Sequence, residues 1–194
     1  MLQDVIISRV RVKILTLFLT HPGQIFHVRE IVRQTKEEIN AVRRELSHME
    51  KCGMVSKEHR ANRLYYIFRK DYPLYYELLE LVAKTTGLGG NILKNKNKLG
   101  KVKYLMLSGR FIRNLPRKSD TVDILAVGNI ILPQVGQLVK EEEVRKGTEI
   151  NYTVMTEDEF EFRKRRKDPF IVNVLSDSRI MIIGDEEEMI KTAS

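Results

Sequence analysis

The acidic residue Asp123 is the side chain of this sequence that is best placed for metal-dependent chemistry. It lies in the apolar run 122–127, which has the pattern of a buried strand. Nucleotidyl transfer needs two carboxylates on one face of such a strand, two residues apart, to hold metal ions against a triphosphate. Position 121 is a threonine, however, and Asp120 falls on the opposite face of a regular strand. Only a β-bulge would bring Asp120 back beside Asp123.

The third carboxylate that such chemistry requires is also incomplete. In the predicted strand 149–155, alternation places Glu149, Asn151 and Thr153 on one face, so the middle position carries an amide. One well-placed carboxylate is poor support for two-metal catalysis. We therefore expect no catalytic residues, no bound metal and no cofactor. Mg²⁺ and a nucleotide enter only under the alternative that the chain is an enzyme.

The residues around Ser108 and Gly109 give this half of the chain a family resemblance. They follow a predicted strand, and Asp123 comes after a spacer. The pattern over about residues 101–184 resembles minimal nucleotidyltransferase domains, in which Gly-Ser, a spacer and Asp-x-Asp precede a third carboxylate. The resemblance implies a small mixed sheet with flanking helices. The inverted Ser-Gly order and the missing carboxylates indicate that the fold is kept and the activity is lost.

The same region could still bind a phosphate or a nucleotide. Ser108, Gly109 and Arg110 at the strand end offer backbone donors and charge, and Asp123 lies on the neighbouring strand. The following loop adds three cations, Arg113, Arg117 and Lys118. A solvated basic loop is the equal alternative.

A helix that begins at Thr35 carries the nucleic-acid ligands of the first half. Thr35 and Glu38 fit the Ser/Thr-x-x-Glu capping box, and Gly53 stops the helix. Its inward positions step by three and four residues: Ile39, Val42, Leu46 and Met49. Its outward face holds side chains that bind base edges or phosphate: Lys36, Asn40, Arg43, Arg44 and Ser47. Glu37 and Glu38 would repel phosphate, and we assign them to capping.

A β-hairpin is predicted directly after this helix. Two β-rich runs, 54–58 and 64–68, flank a polar loop at 59–63. The hairpin places polar and cationic side chains where a phosphate backbone would pass: Lys57, His59, Arg60, Asn62 and Arg63. We expect the nearby tyrosines to pack the hairpin against a fourth helix rather than to stack on bases.

The elements that position these residues follow a familiar order. Apolar periodicity predicts helices at 5–19 and about 28–34 before the third helix, and a fourth helix at 73–86 that the glycines of 87–90 end. Three helices followed by a hairpin resemble the winged helix domains of small bacterial and archaeal repressors, over residues 5–86. The resemblance implies that the third helix enters the major groove and that the hairpin, or wing, touches the flanking backbone or minor groove.

The charge of the chain is distributed unevenly. Residues 1–100 hold 18 lysines and arginines against 10 acidic residues, whereas residues 101–194 hold 16 of each. The whole excess of the formal net charge of +8 therefore lies in the first half. This favours a polyanionic partner for that half, over the alternative that its cations are merely solvated.

Cysteine and histidine provide no metal or disulfide framework. Cys52 is the only cysteine, so one chain cannot form an internal disulfide, and we expect this thiol to be a small buried hydrophobe rather than a redox switch. The four histidines lack metal-ligand spacing. The composition suits a cytoplasmic protein, and no apolar stretch is long enough to predict a membrane span.

The second half has the alternation of an α/β domain. Strands at 102–107, 122–127, 149–155 and 179–183 alternate with helices at 130–145, 156–167 and 170–175. The basic run 163–167 is expected at an exposed helix end, with an auxiliary DNA contact as the alternative. The fold class is thus a two-domain α+β / α/β protein. Its parts are a winged helix at 1–86, a linker at 87–100 and a nucleotidyltransferase-like domain at 101–194.

The function that these patterns favour is that of a DNA-binding transcription regulator, namely a dimeric repressor that binds double-stranded DNA. Its second domain would serve dimerisation or the sensing of an effector. One alternative is an active minimal nucleotidyltransferase that modifies a protein or RNA. Another is a nucleotide sensor without catalysis.

Overall fold

The computed structural model describes residues 6–116 and 121–191 and divides the chain into two compact units, Met1–Thr85 and Thr86–Ser194. Both units combine helices with a sheet, so the fold is a mixed α+β fold with two separate sheets. No helix in these described ranges is long and apolar enough to cross a membrane.

In its described residues, the first unit contains four helices and a three-stranded antiparallel sheet. Its elements are α1 (Arg9–Thr20), β1 (Phe26–His27), α2 (Val28–Thr35), α3 (Ile39–Lys51), β2 (Val55–Arg60), β3 (Arg63–Phe68) and α4 (Tyr75–Thr85). The strand order is β1-β3-β2. The rings of Phe18 and Phe26 meet edge to face at 5.6 Å, and Phe68 lies 6.3 Å from Phe18. These contacts join α1 to the sheet in one core.

The order of three helices, a hairpin and a fourth helix is the order that the sequence predicted, with three differences. Strand β1 was not predicted, because two residues cannot show an alternating pattern. Helix α1 begins at Arg9 rather than at residue 5, since the Ser8 hydroxyl caps it by accepting a hydrogen bond from the Arg11 amide. Val5 lies outside the described residues. The wing loop has two residues, Ala61 and Asn62, instead of five.

The second unit is built on a four-stranded mixed sheet. Its elements are α5 (Gly87–Lys94), a 3₁₀ helix (Lys96–Lys98), β4 (Gly100–Ser108), α6 (Gly109–Ile112), β5 (Ile124–Ile130), α7 (Leu132–Lys146), β6 (Tyr152–Met155), α8 (Glu157–Arg165), α9 (Pro169–Ser176), β7 (Arg179–Ile183) and α10 (Glu186–Ile190). The strand order is β6-β5-β4-β7. Strand β4 runs antiparallel to both of its neighbours, and β6 runs parallel to β5.

One core cluster of this unit joins the sheet to helices α8 and α9. Met106 and Val127 of the sheet, Phe160 of α8 and Ile171 of α9 are all buried in it. Phe170 is partly buried and packs against the same cluster. The sheet therefore fixes the position of the first turn of α9.

The segment 87–100 differs from the predicted linker. It forms α5 and a 3₁₀ helix, and Leu88, Ile92 and Leu99 are buried at 1 to 3% exposure. Helix α5 packs against α7. The three glycines of 87–90 thus lie in the first turn of a helix rather than after the end of one. The helix is stabilised because the apolar residues among and after these glycines are buried.

Candidate nucleic-acid interface

Helix α3 holds its outward side chains in place through its buried face. Val42, Leu46 and Met49 have no measurable exposure. Positions between them on the helix therefore point to solvent. Four of the predicted contact residues lie there and are exposed: Asn40, Arg43, Arg44 and Ser47. The structure thus brings these four side chains onto one helix surface, as the periodicity indicated.

Lys36 is not part of α3, and the predicted capping box is wrong. Thr35 is the last residue of α2, and its buried hydroxyl donates to the Ile31 carbonyl at 2.7 Å. Lys36 closes α2 in the left-handed region with φ of 53°. It is exposed in the turn between α2 and α3, not on the outward face of α3.

Glu38 is the residue that caps α3. Its carboxylate Oε2 atom accepts hydrogen bonds from the amides of Asn40 at 2.8 Å and Ala41 at 3.0 Å. These two bonds hold the pKa of Glu38 below its usual range, and the charges of Arg43 and Arg44 act in the same direction. The assignment of Glu38 to capping is therefore confirmed, although its partners differ from those of a capping box.

The other carboxylates near α3 form ion pairs with cations of the protein. Glu37 pairs with Lys13 at 2.5 Å, and Glu45 pairs with Arg11 at 2.9 Å. The hydrogen bond from Lys13 holds the pKa of Glu37 below its usual range. Glu37 is thus a partner of α1 and not a cap. Because these carboxylates are neutralised from within, they oppose an approaching phosphate less than the sequence suggests.

Arg43 and Arg44 differ from these cations. Within residues 6–116 and 121–191, neither guanidinium group takes part in a hydrogen bond or an ion pair inside the protein. Five N–H donors on each group are therefore available to an external acceptor. Guanine edges and phosphate oxygens are the acceptors that this planar group matches best in nucleic acids.

In the part of the chain that the structure describes, two cations of the hairpin are paired with a carboxylate, and a third is not. Lys57 Nζ lies 2.8 Å from Glu50 Oε1 of α3, and Arg60 forms a two-pronged pair with Glu58 at 2.9 and 3.0 Å. Arg63 and Asn62 are exposed at the tip, and no side-chain partner of either falls within the described ranges. Among the described residues, the wing thus has one unpaired arginine and two cations that are paired with carboxylates.

Three further exposed cations were not among the predicted contact residues. Arg29 and Arg33 lie on the solvent side of α2, and Lys51 lies at the end of α3. The apolar spacing of Val28 and Ile31 was the signal that could have identified the two arginines, because it already defines the inward face of α2.

Cys52 and the tyrosines can also be placed. The thiol of Cys52 is exposed and lies 3.5 Å from His48 Nε2, so the expectation of a buried cysteine is wrong. The helix ends one residue earlier, which leaves Cys52 outside the buried face. Phe68 contacts the rings of Tyr72 and Tyr75 at 6.2 and 6.0 Å, so these tyrosines pack the hairpin region against α4 as expected.

The second predicted site lies at one end of the four-stranded sheet. The Ser108 amide donates to the Asp123 carbonyl at 2.9 Å, and Asp123 Oδ2 accepts from the Asn151 amide at 2.9 Å. Ser108, Asp123 and Asn151 are thus brought together at one end of the sheet. Arg117, Lys118 and Asp120 lie outside the described residues. No group of three or more His, Cys, Asp or Glu side chains in the described ranges could hold a metal ion.

The polar groups at this strand end already have partners in the protein. The Ser108 hydroxyl caps α6 by accepting from the Phe111 amide, and the Gly109 amide donates to the Ser178 carbonyl at 2.7 Å. Arg110 donates to the Pro116 carbonyl. A Cβ atom on Gly109 would lie 2.2 Å from Ser178 Oγ. The glycine is therefore required by close packing against the start of β7, not by the approach of a phosphate.

Comparison with known proteins shows a partial likeness to a solved structure. No protein-family model matches the chain, and no curated protein matches its sequence. Among solved structures, the reduced form of HlyU from Vibrio cholerae N16961 is similar to part of the chain, at 18% sequence identity and a TM-score of 0.35. The match covers 43% of this chain and 82% of HlyU.

Proposed function

We propose that the chain is a DNA-binding transcription regulator whose first unit is a winged helix. The observation that carries this proposal is the pair Arg43 and Arg44, two exposed guanidinium groups without an internal partner on the outward face of α3. The opposite face of the same helix is anchored in the core by Leu46 and Met49. A rigid helix with free cations on its surface is the element that enters the major groove.

The spacing of the outward side chains supports a role in reading bases. Asn40, Arg43 and Ser47 are separated by three and four residues, so they lie along one line on the helix. Asparagine pairs with adenine and arginine with guanine in the major groove. In the proposed complex Asn40 and Arg43 contact base edges. Arg44 and Ser47 bind the phosphates beside them.

The hairpin supports the proposal through its tip. Asn62 lies in the two-residue loop, and Arg63 begins β3 opposite Arg60 in the last cross-strand pair. Flanking phosphates would meet Arg63 first, because its charge is not neutralised by a carboxylate. Lys57 and Arg60 join the contact only when phosphate displaces Glu50 and Glu58. The wing therefore adds affinity that depends on salt concentration.

The finer features of the proposal concern assembly. We propose that the chain forms a homodimeric repressor. The dimer binds two half-sites of an approximately palindromic operator, because the two-fold symmetry of a dimer matches that of a palindrome. The second unit would serve dimerisation or bind an effector. Its charge supports a role other than DNA binding, because residues 86–194 hold 19 basic against 16 acidic side chains, a smaller excess than the 15 against 10 of residues 1–85.

Selection of bound duplexes from a random DNA pool tests the function and defines the operator together. A defined sequence should be enriched at moderate salt. On that sequence, Arg43→Ala is expected to weaken binding about tenfold and to relax the base preference at one position, as the loss of a base contact does. Arg44→Ala should weaken binding to all sequences alike and make the dependence on salt less steep.

Arg69→Ala is the matched control. Arg69 forms an exposed pair with Asp71 at the end of β3 away from the hairpin tip, and its removal changes the net charge equally. It should leave the affinity and the base preference nearly unchanged. An unselective pool, or equal losses for Arg43→Ala and Arg69→Ala, would contradict the proposal.

A further inference from the structure

The second unit contains a cavity that the DNA-binding function leaves unexplained. It has a volume of about 410 Å³, within the range of small-molecule sites. It lies between the start of β5, the start of β6 and the first turns of α9. The residues that line it are Thr121, Val122, Asn151, Thr153, Pro169, Phe170 and Asn173.

The described part of the lining mixes polar and apolar side chains and carries no charge. Of the described residues that form it, none carries an ionisable group, and the polar ones are two threonines and two asparagines. The first turn of α9 does not attract an anion either, because the Asp168 carboxylate already accepts from the amides of Phe170 at 3.0 Å and Ile171 at 3.3 Å. A phosphate or carboxylate group of a ligand would meet the charge of Asp168 rather than free amides.

Asn151 lines the cavity and is held in a fixed position. Its amide donates to Asp123 Oδ2 at 2.9 Å, its carbonyl accepts from the Asp123 amide at 2.7 Å, and its side-chain Nδ2 donates to the Thr121 carbonyl at 3.0 Å. Three bonds fix both the backbone and the orientation of the side-chain amide. Among the described residues no donor reaches the Oδ1 atom, which makes it a positioned acceptor.

Phe170 and Asn173 line the cavity from helix α9. They lie three residues apart on α9, so they share one face of the helix. Phe170 packs against the core cluster of the sheet while it lines the cavity, which keeps its ring in place. Asn173 is exposed, and in the described ranges its side-chain amide has no partner inside the protein. An aromatic surface thus stands beside an amide that can both donate and accept.

We infer that this cavity binds a neutral, planar heterocycle with amide-type donors and acceptors, namely the base of a free nucleoside. The base stacks on Phe170, its edge bonds to the Asn173 amide, and Asn151 Oδ1 accepts a further donor. Stacking on an aromatic ring suits every base, and amide side chains pair with base edges. The inference rests on the effector-binding role proposed above for the second unit, and it names the ligand class of that role.

Calorimetric titration of the full chain with adenosine, guanosine, cytidine and uridine tests this inference. At least one nucleoside should bind, and its 5′-monophosphate should bind no more tightly. A tetranucleotide of the same base should gain no affinity per base. Phe170→Leu, which keeps an apolar side chain in the core contact, should weaken binding about tenfold or more. Asn173→Ala, at an exposed position, should weaken it about fivefold or more.

Phe162→Leu is the matched control, because Phe162 is 52% exposed on α8 and does not line the cavity. It should bind the nucleoside as the unaltered chain does, and so should the double variant Arg43→Ala/Arg44→Ala, which tests only the DNA interface. The inference is overturned if no nucleoside binds at millimolar concentration. Equal binding by Phe170→Leu and Phe162→Leu, or a strong preference for the monophosphate or the tetranucleotide, also overturns it. None of these results bears on the DNA-binding proposal, which is tested separately by the selection of bound duplexes.

Discussion

The Nζ atom of Lys57 on the hairpin lies 2.8 Å from the Oε1 atom of Glu50 in the last turn of α3. This ion pair connects the two surfaces that we propose to contact DNA. The pKa of Lys57 is raised by the hydrogen bond to Glu50, so the lysine stays charged in the pair. The wing is therefore held near α3 by this ion pair. In the proposed complex a DNA phosphate would compete with Glu50 for Lys57.

Replacing Glu50 by Gln should increase DNA affinity. The change frees Lys57 for a phosphate and removes a negative charge beside the interface. We expect binding several-fold tighter at low salt, with a steeper salt dependence, because one more counterion is displaced. Fluorescence anisotropy over a salt series measures both. Glu80→Gln removes the same charge from a pair with Lys84 on α4 and serves as the control. Equal effects of the two substitutions would contradict the competition.

Replacing Glu38 by Gln should lower the melting temperature in a way that depends on pH. The folded-state pKa of Glu38 is lowered from its ordinary value of 4.5 by two backbone hydrogen bonds. Its stabilising contribution is fully present above pH 4.5 and is lost as the pH falls through the lowered pKa. The variant should thus melt a few degrees below the unaltered chain at neutral pH, and the difference should shrink in acid.

Glu77→Gln is the control for the Glu38 experiment. Glu77 also lies in the first turn of a helix, α4, so its replacement removes the same charge from a similar helix dipole. It should change the melting temperature less. A Glu38→Gln effect that persists unchanged at pH 3 would count against the capping role.

Replacing Gly109 by Ala should destabilise the second unit. The new Cβ atom would lie 2.2 Å from Ser178 Oγ and 2.9 Å from the Ser178 carbonyl, which is too close for either. Overpacking of this kind costs about 1–3 kcal/mol. Denaturant unfolding should show this loss in the free energy of unfolding. Gly136→Ala in α7 should cause no loss, because its nearest contact would be an ordinary 3.4 Å. Equal stability of the two variants would show that Gly109 is not a packing residue.

Replacing Lys164 by Met should weaken the packing of helix α10 against α8. Lys164 is buried, and its Nζ atom donates to the carbonyls of Met189 at 3.2 Å and Lys191 at 3.0 Å. Hydrogen bonds from a charged donor are worth about 1.5–3 kcal/mol. Hydrogen exchange at 186–190 should become faster while the amides of the sheet stay protected. Lys167→Met, at an exposed position, should leave the exchange unchanged; a similar increase there would refute the role of Lys164.

Much of the first unit could be predicted because long elements carry a clear period. The apolar steps of α3 placed Asn40, Arg43, Arg44 and Ser47 on the exposed face. The short pattern around Thr35 failed, because a threonine followed three residues later by glutamate also occurs where one helix ends before the next begins. Only the back-bond from Thr35 to Ile31 distinguishes the two cases.

Which charged side chains of the interface form ion pairs within the protein could not be predicted from the sequence. Lys13 and Glu37 are 24 residues apart, and Arg11 and Glu45 are 34 residues apart, so their pairing depends on how α1 packs. Which arginines stay unpaired follows only from the fold. The same limit applies to the cavity, since Asn151 and Phe170 are brought together by the parallel pairing of β5 with β6 and by the docking of α9.

Strand β2 has one buried residue, Val55, and five exposed ones. Its place in the sheet is therefore maintained by the backbone ladder to β3 rather than by side-chain packing. Substitutions at the other five positions can accumulate without disturbing the core. If the chain has the proposed function, these positions can change the DNA contacts of the wing while the fold of the domain stays the same. This strand is therefore the simplest one to randomise in a library.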